Sequence, residues 1–208
     1  MPRPYWVSLI LLLAGSFGAS AAPGLFYSRS FPGSAPAYLQ VTLDRGGNVE
    51  YREAPDDDNP LSFRLSDADA AEVFALAAKL DYFKRPIESP AKVAFTGAKT
   101  FRYEDGSQKN EVKFNFTEDL SARALTDWFE RMGEAARDYI DLERTAKYDK
   151  LGVLDALMRI ESDMSRKQLA APDQYLPLLD RIIENESYMN AARERASRIA
   201  AAIRNPKP

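Results

Sequence analysis

The sequence predicts an α+β protein: a small antiparallel sheet of two hairpins with one packed helix, followed by a C-terminal all-helical region. Three observations predict it. Two turns, Arg45-Gly46-Gly47-Asn48 and Asp105-Gly106, each separate runs in which apolar and polar residues alternate. One amphipathic stretch with a capping signal lies between those hairpins. From about Asp119 onward the apolar residues recur only at helical spacing.

The elements follow in chain order. Residues 25–31 are rich in aromatics and read as an edge strand. Residues 37–44 alternate, with Leu39, Val41 and Leu43 on one face. Gly46 and Gly47 supply the turn, because glycine adopts positive φ without steric cost, and residues 49–53 return as the partner strand. A polar loop covers 54–60 and a third short strand 61–65. Ser66-Asp67-Ala68-Asp69 resembles a capping box, with acids over the positive helix end. Val73, Phe74, Ala77, Leu80 and Phe83 then form a buried stripe. Pro86 and Pro90 mark a loop before the second hairpin, 99–104 with 108–116. There Phe101 and Tyr103 share one face, as do Val112, Phe114 and Phe116.

In the second half, Leu125, Trp128, Phe129, Met132, Ala136 and Ile140 define the apolar face of a long helix, with Gly133 as a tolerated weak point. Leu154, Leu157 and Ile160 mark a helix near 151–164. Pro172 or Asp173 opens another, burying Leu178, Leu179, Ile182 and Ile183, and Pro177 moves its start later. The last runs from Ser187 to about Arg204 with Met189, Ala192, Ala196, Ile199 and Ile203 inside. The expected organisation is a leader at 1–21, an α+β unit at 22–118, and a helical region at 119–208 that either covers the sheet or forms its own bundle.

The leader has the three parts of a cleavable signal peptide in order. Arg3 gives the positive start, residues 5–14 are apolar, and Ala19-Ser20-Ala21 places small residues at −3 and −1. Ala19 and Ala21 are the expected signal-peptidase recognition residues, with cleavage after Ala21. A spanning helix needs about 20 mostly apolar residues, whereas Gly15, Ser16 and Gly18 interrupt this run. The expectation is export to the periplasm or the extracellular space, with no transmembrane segment in the mature chain.

Composition narrows the chemistry. The chain has 28 basic and 31 acidic residues, a net charge of −3, and becomes one unit more negative when Arg3 leaves. Nothing in that balance points to nucleic acid. With no cysteine, disulfides, thiol nucleophiles and lipid attachment at a cysteine are impossible. With no histidine, every Ser-His-Asp arrangement and every ordinary catalytic zinc site is gone. Carboxylates, a Ser–Lys pair, tyrosine or a hard metal held by oxygen remain.

Few residues fit even those roles. Ser89-Pro90-Ala91-Lys92 matches Ser-x-x-Lys, but prolines break the helix that would align the pair, and no Lys-Thr-Gly follows. Asp56-Asp57-Asp58-Asn59 would need glycine and glutamate where Leu61 and Asp67 stand in order to form a calcium loop. Glu104 and Glu111 flank the Asp105-Gly106 turn as a candidate carboxylate pair. Asn115-Phe116-Thr117 and Asn185-Glu186-Ser187 are formal glycosylation sequons. Arg193, Arg195, Arg198, Arg204 and Lys207 outnumber Glu194 near the C-terminus, and neighbouring acids are expected to balance them. No catalytic, metal or cofactor site is assigned.

Residues 38–132 also carry a recurrent layout. A hairpin holds Gly47-Asn48-Val49, a Ser-capped helix ends in Tyr82-Phe83, an Asp-Gly hairpin runs Phe101-Arg102-Tyr103-Glu104-Asp105-Gly106, and a helix follows with Leu125 and Trp128-Phe129. This resembles small bacterial exported domains of unknown function and, more distantly, emfourin, a proteinaceous inhibitor of thermolysin-type metalloproteases. The resemblance covers under half of the chain and brings no inhibitory residue with it. The expected function is that of an exported, non-enzymatic binding or interaction protein, inhibitor-like, acting on another envelope or secreted protein. The alternatives are a carboxylate-based hydrolase of glycan or cell-wall polymer and a structural envelope component.

Overall fold

The computed structural model describes residues 23–206. The leader at 1–21, including Ala19 and Ala21, and Lys207 lie outside the described residues. Six strands, β1 (Gly24–Ser30), β2 (Tyr38–Asp44), β3 (Asn48–Arg52), β4 (Leu61–Arg64), β5 (Ala98–Asp105) and β6 (Gln108–Phe114), make one sheet. Their order is β4-β3-β2-β1-β5-β6, and every neighbouring pair is antiparallel. Among the described residues the α-helices are α1 (Asp67–Lys79), α2 (Leu120–Tyr148), α3 (Val153–Ser165), α4 (Leu176–Glu184) and α5 (Asn190–Arg204). The class is α+β with helices gathered in the C-terminal region, as the alternation predicts. The sheet is larger than the two expected hairpins.

The main correction concerns β1, which lies inside the sheet instead of at its edge. All seven of its residues pair with β2 on one side and with β5 on the other. A sequence shows only the next hairpin partner. The second partner arrives after α1 carries the chain back beneath the sheet.

Register makes the core. Leu25 lies between Leu43 and Tyr103, and Tyr27 between Val41 and Phe101. Val41 faces Tyr51, Leu43 faces Val49, and Val49 faces Phe63. All of these are buried. Since side chains alternate across a strand, the intervening residues line the opposite face. There Ser62, Glu50, Thr42, Phe26, Arg102 and Glu111 form one continuous cross-strand row.

α1 and the first half of α2 cover the apolar face. Ser66 caps α1 as expected: its hydroxyl accepts from the Asp69 amide at 3.1 Å and donates to the Asp69 carboxylate at 2.8 Å. Asp119 caps α2 by accepting from the amides of Ser121 and Ala122. Gly133 lets α2 lie close to the sheet, since a Cβ there would sit 3.5 Å from Tyr51 and 3.8 Å from Leu39.

α2 serves two cores. Leu125, Trp128, Phe129, Met132, Ala135 and Ala136 belong to the sheet core, whereas Leu142 and Ala146 belong to a helical core with α3, α4 and α5. Ile140, expected inside, is 40% exposed because it falls where the buried side of α2 turns from the sheet to the bundle. Met189 is also exposed: α5 begins at Asn190, since Asn185 holds Ser187 and Tyr188 in a preceding turn. β6 stops at Phe114, and Phe116 is only half-buried, because the Asn115 amide leaves the ladder for the Glu88 carboxylate. Ile183 is half-buried too.

Candidate functional site

Most residues singled out in the sequence are tied into ordinary structural roles. The Ser89 hydroxyl accepts from the Ala91 amide at 3.1 Å within its own loop, and Lys92 is exposed. Asp57 accepts from the Asn59 amide, closing the acidic loop on itself. Glu104 pairs with Lys109 and Arg102, and the Lys109 ammonium holds its carboxyl below the usual range. Glu111 reaches the same Arg102 from the next strand. These two acids share a cation and do not face each other across a substrate space. Arg195 and Arg198 pair with Glu161, and Arg204 pairs with Asp180. Arg193 donates to the Ile183 carbonyl. Among the described residues no cluster of three potential metal ligands occurs, and no helix is long and apolar enough to cross a membrane.

Asn115 proves to be a structural clamp. Its side-chain oxygen accepts from the Thr96 amide at 2.7 Å, and its side-chain nitrogen donates to the Ala94 carbonyl at 3.2 Å. The Ser89 amide donates to the Phe116 carbonyl at 2.8 Å. The connection from α1 to β5 is thus pinned at both ends against the chain that follows β6. Between the pins every residue from 90 to 96 is exposed. No helix or turn occurs from 92 to 96. Its two large apolar side chains, Val93 and Phe95, are 43% and 55% exposed. The Phe95 ring meets Phe31 edge-on at 5.9 Å. Two large apolar side chains thus stand in water on a tethered loop.

Beneath this loop the sheet ends in a charged layer. The Tyr27 hydroxyl donates to Glu130, and Arg29 pairs with the same carboxylate at 3.0 Å. Burial and the Glu130 charge drive the Tyr27 phenol far up, so it stays protonated. Lys99 donates to the Asn115 carbonyl at 2.9 Å and to the Thr96 hydroxyl at 3.1 Å, and burial pulls its ammonium down. The adjoining cavity is about 130 Å³, below the size that holds a small-molecule ligand. With its donors on the carbonyls of Thr96, Gly97 and Asn115 and on the Thr96 hydroxyl, Lys99 supports the loop.

At the other end of the sheet, Asp81, Tyr82 and Phe83 all take left-handed φ values of 50°, 48° and 66°. Such backbone persists only where its surroundings over-determine it. Tyr82 stacks on Tyr103 at 4.3 Å, Phe83 stacks on Phe101 at 5.1 Å, and Asn110 donates to the Tyr82 carbonyl. The aromatic pair noted in the sequence is therefore a strained corner riveted to β5.

Larger grooves lie elsewhere among the described residues. One of about 720 Å³ runs between α2 and α4, lined by Ile140, Tyr148, Leu178 and Ile182 under Arg144, Lys147 and Arg181. Another, about 420 Å³, carries Glu72, Asp127, Glu130 and Glu134 beside Trp128 and Arg131.

No family model matches this chain, and no curated protein matches it.

Proposed function

We propose that the protein is an exported, non-enzymatic binding protein that engages another envelope or secreted protein in the manner of an inhibitor. The contact runs through the tethered loop 90–96 and the Phe31–Phe95 pair. The observation carrying this is the doubly pinned loop whose seven residues are all exposed, with Val93 and Phe95 in water. A pre-ordered loop loses little conformational freedom on binding, which favours affinity. The layout shared with emfourin-type inhibitors over residues 38–132 supports the same direction, as does the absence of histidine and cysteine.

The test takes the mature protein and Val93→Asp/Phe95→Asp, and measures peptide hydrolysis by a thermolysin-type metalloprotease and by an unrelated serine protease. Inhibition of one protease by the parent, weakened at least tenfold in the double variant, supports the proposal. Full activity of both proteases at micromolar parent protein removes the inhibitor part. Repeated recovery from periplasm or medium without any partner removes the binding role. Export is tested separately by sequencing the N-terminus of the secreted form, which should begin at Ala22.

A further inference from the structure

The loop at 90–96, Pro90-Ala91-Lys92-Val93-Ala94-Phe95-Thr96, carries one charged side chain, Lys92. Lys84, Lys109 and Lys113 pair with carboxylates, while Lys99 and Lys150 donate to carbonyl or hydroxyl oxygens. Lys92 is exposed and does neither among the described residues. Its three donors are left for a partner.

The backbone on both sides of the Lys92–Val93 peptide is held. On the near side the Ser89 amide donates to the Phe116 carbonyl at 2.8 Å, and the Ser89 hydroxyl accepts from the Ala91 amide at 3.1 Å. On the far side the Asn115 side chain donates to the Ala94 carbonyl at 3.2 Å and accepts from the Thr96 amide at 2.7 Å. Both attachments end on one dipeptide, Asn115-Phe116, and the Glu88 carboxylate accepts from the Asn115 amide. Lys92 and Val93 span the gap between the held residues Ala91 and Ala94. Those two alanines put no bulk against the walls of a cleft.

We propose, building on the loop 90–96 as the contact surface, that Lys92 determines its specificity and that the partner is a trypsin-type serine endopeptidase. The primary pocket of such an enzyme holds a carboxylate that pairs with a lysine ammonium, and its oxyanion hole takes the carbonyl of the same residue. The serine oxygen bonds to the Lys92 carbonyl carbon, and its proton passes through the protease's histidine to the Val93 nitrogen. The Lys92–Val93 bond then breaks, leaving an ester on the enzyme and an amine on Val93. Asn115 still holds Ala94 and Thr96, so that amine stays beside the ester. Its attack on the ester carbon re-forms the peptide and returns the proton to the serine. Water completes hydrolysis only when the amine moves aside, so the loop occupies the enzyme and is cut slowly.

The experiment incubates the mature protein and Lys92→Phe with trypsin, chymotrypsin and a thermolysin-type metalloprotease, following peptide hydrolysis and the mass of the protein. The parent should inhibit trypsin, with one slow cut between Lys92 and Val93. Lys92→Phe should weaken trypsin inhibition about a hundredfold, because the pocket carboxylate is left buried and unpaired. It should gain inhibition of chymotrypsin, whose pocket is apolar. Lys92 is exposed, so the variant should match the parent in urea unfolding. A parent that trypsin digests without being inhibited overturns the proposal, as does undiminished trypsin inhibition by Lys92→Phe. Inhibition confined to the metalloprotease overturns this partner and leaves the loop as an inhibitory surface. Inhibition of none of the three removes both.

Discussion

The sheet half and the helical half bury their apolar residues by different means. Beneath the sheet the core is aromatic: Phe101 meets Tyr27, Phe83, Phe114 and Phe129 at centroid distances of 5.0–6.0 Å. Those four partners come from four separate segments spread from β1 to α2. The helical core uses Ala146, Ala156, Ala192, Ala196 and Ala200 to bring helices close, with Leu157, Ile160, Leu179 and Ile199 filling between them. Its α4 and α5, packed on one another, are neighbours in the chain. One half rests on distant pairings, which are slow to form, and the other on local ones. α2 runs through both, so neither core is complete without the same helix.

That contrast can be broken or sharpened by substitution. The largest effect is expected for Phe101→Ala, which removes the hub ring of the sheet core and should cost about 3–5 kcal/mol in urea unfolding. Leu179→Ala in the helical core should cost about 2–3 kcal/mol. Because α2 is shared, both are expected to shift one common transition followed by fluorescence and by helix signal. Two separated transitions in either variant would show that the halves unfold independently. Asp119→Ala deletes the α2 cap and should cost about 1 kcal/mol, felt equally by both probes. Burial raises the Asp119 carboxyl, but Arg85 and the Ala122 and Ser121 amides more than offset this and hold it low. Its contribution is present above the unfolded value and is lost as pH falls through the depressed one. The smallest effect is a gain. Gly133→Ala places a methyl in ordinary contact with Tyr51 and Leu39, and should stabilise by about 0.5–1 kcal/mol in chemical denaturation.

Much of the sheet was legible because its signals are local. The Asp105-Gly106 and Gly46-Gly47 turns lie between alternating runs, and Leu39, Val41, Leu43, Phe101 and Tyr103 are all buried as alternation requires. Ser66 caps α1 for the same reason, since its partner is three residues away. The central place of β1 is not legible because strand order is a long-range property: its residues alternate, yet nothing in them names β5 as a second neighbour. The exposure of Ile140 is not legible either, because helical spacing reports a face and not what covers it. The candidate surface was still less legible. Residues 90–96 read only as a proline-marked loop, while Asn115, the side chain that pins them, read as a sequon. Each position carried a local signal whose use depends on the other.

The sequence by itself determined the class, the hairpin turns, the helix caps, and the chemistry denied by having neither histidine nor cysteine. These follow from backbone geometry, side-chain periodicity and composition, which act within a few residues. Tertiary structure alone decided that β1 is central, that α2 bridges two cores, and that a loop stands tethered over the sheet's end. Each of these joins groups 20 to 100 residues apart, where contact depends on how whole elements pack and not on what any segment prefers.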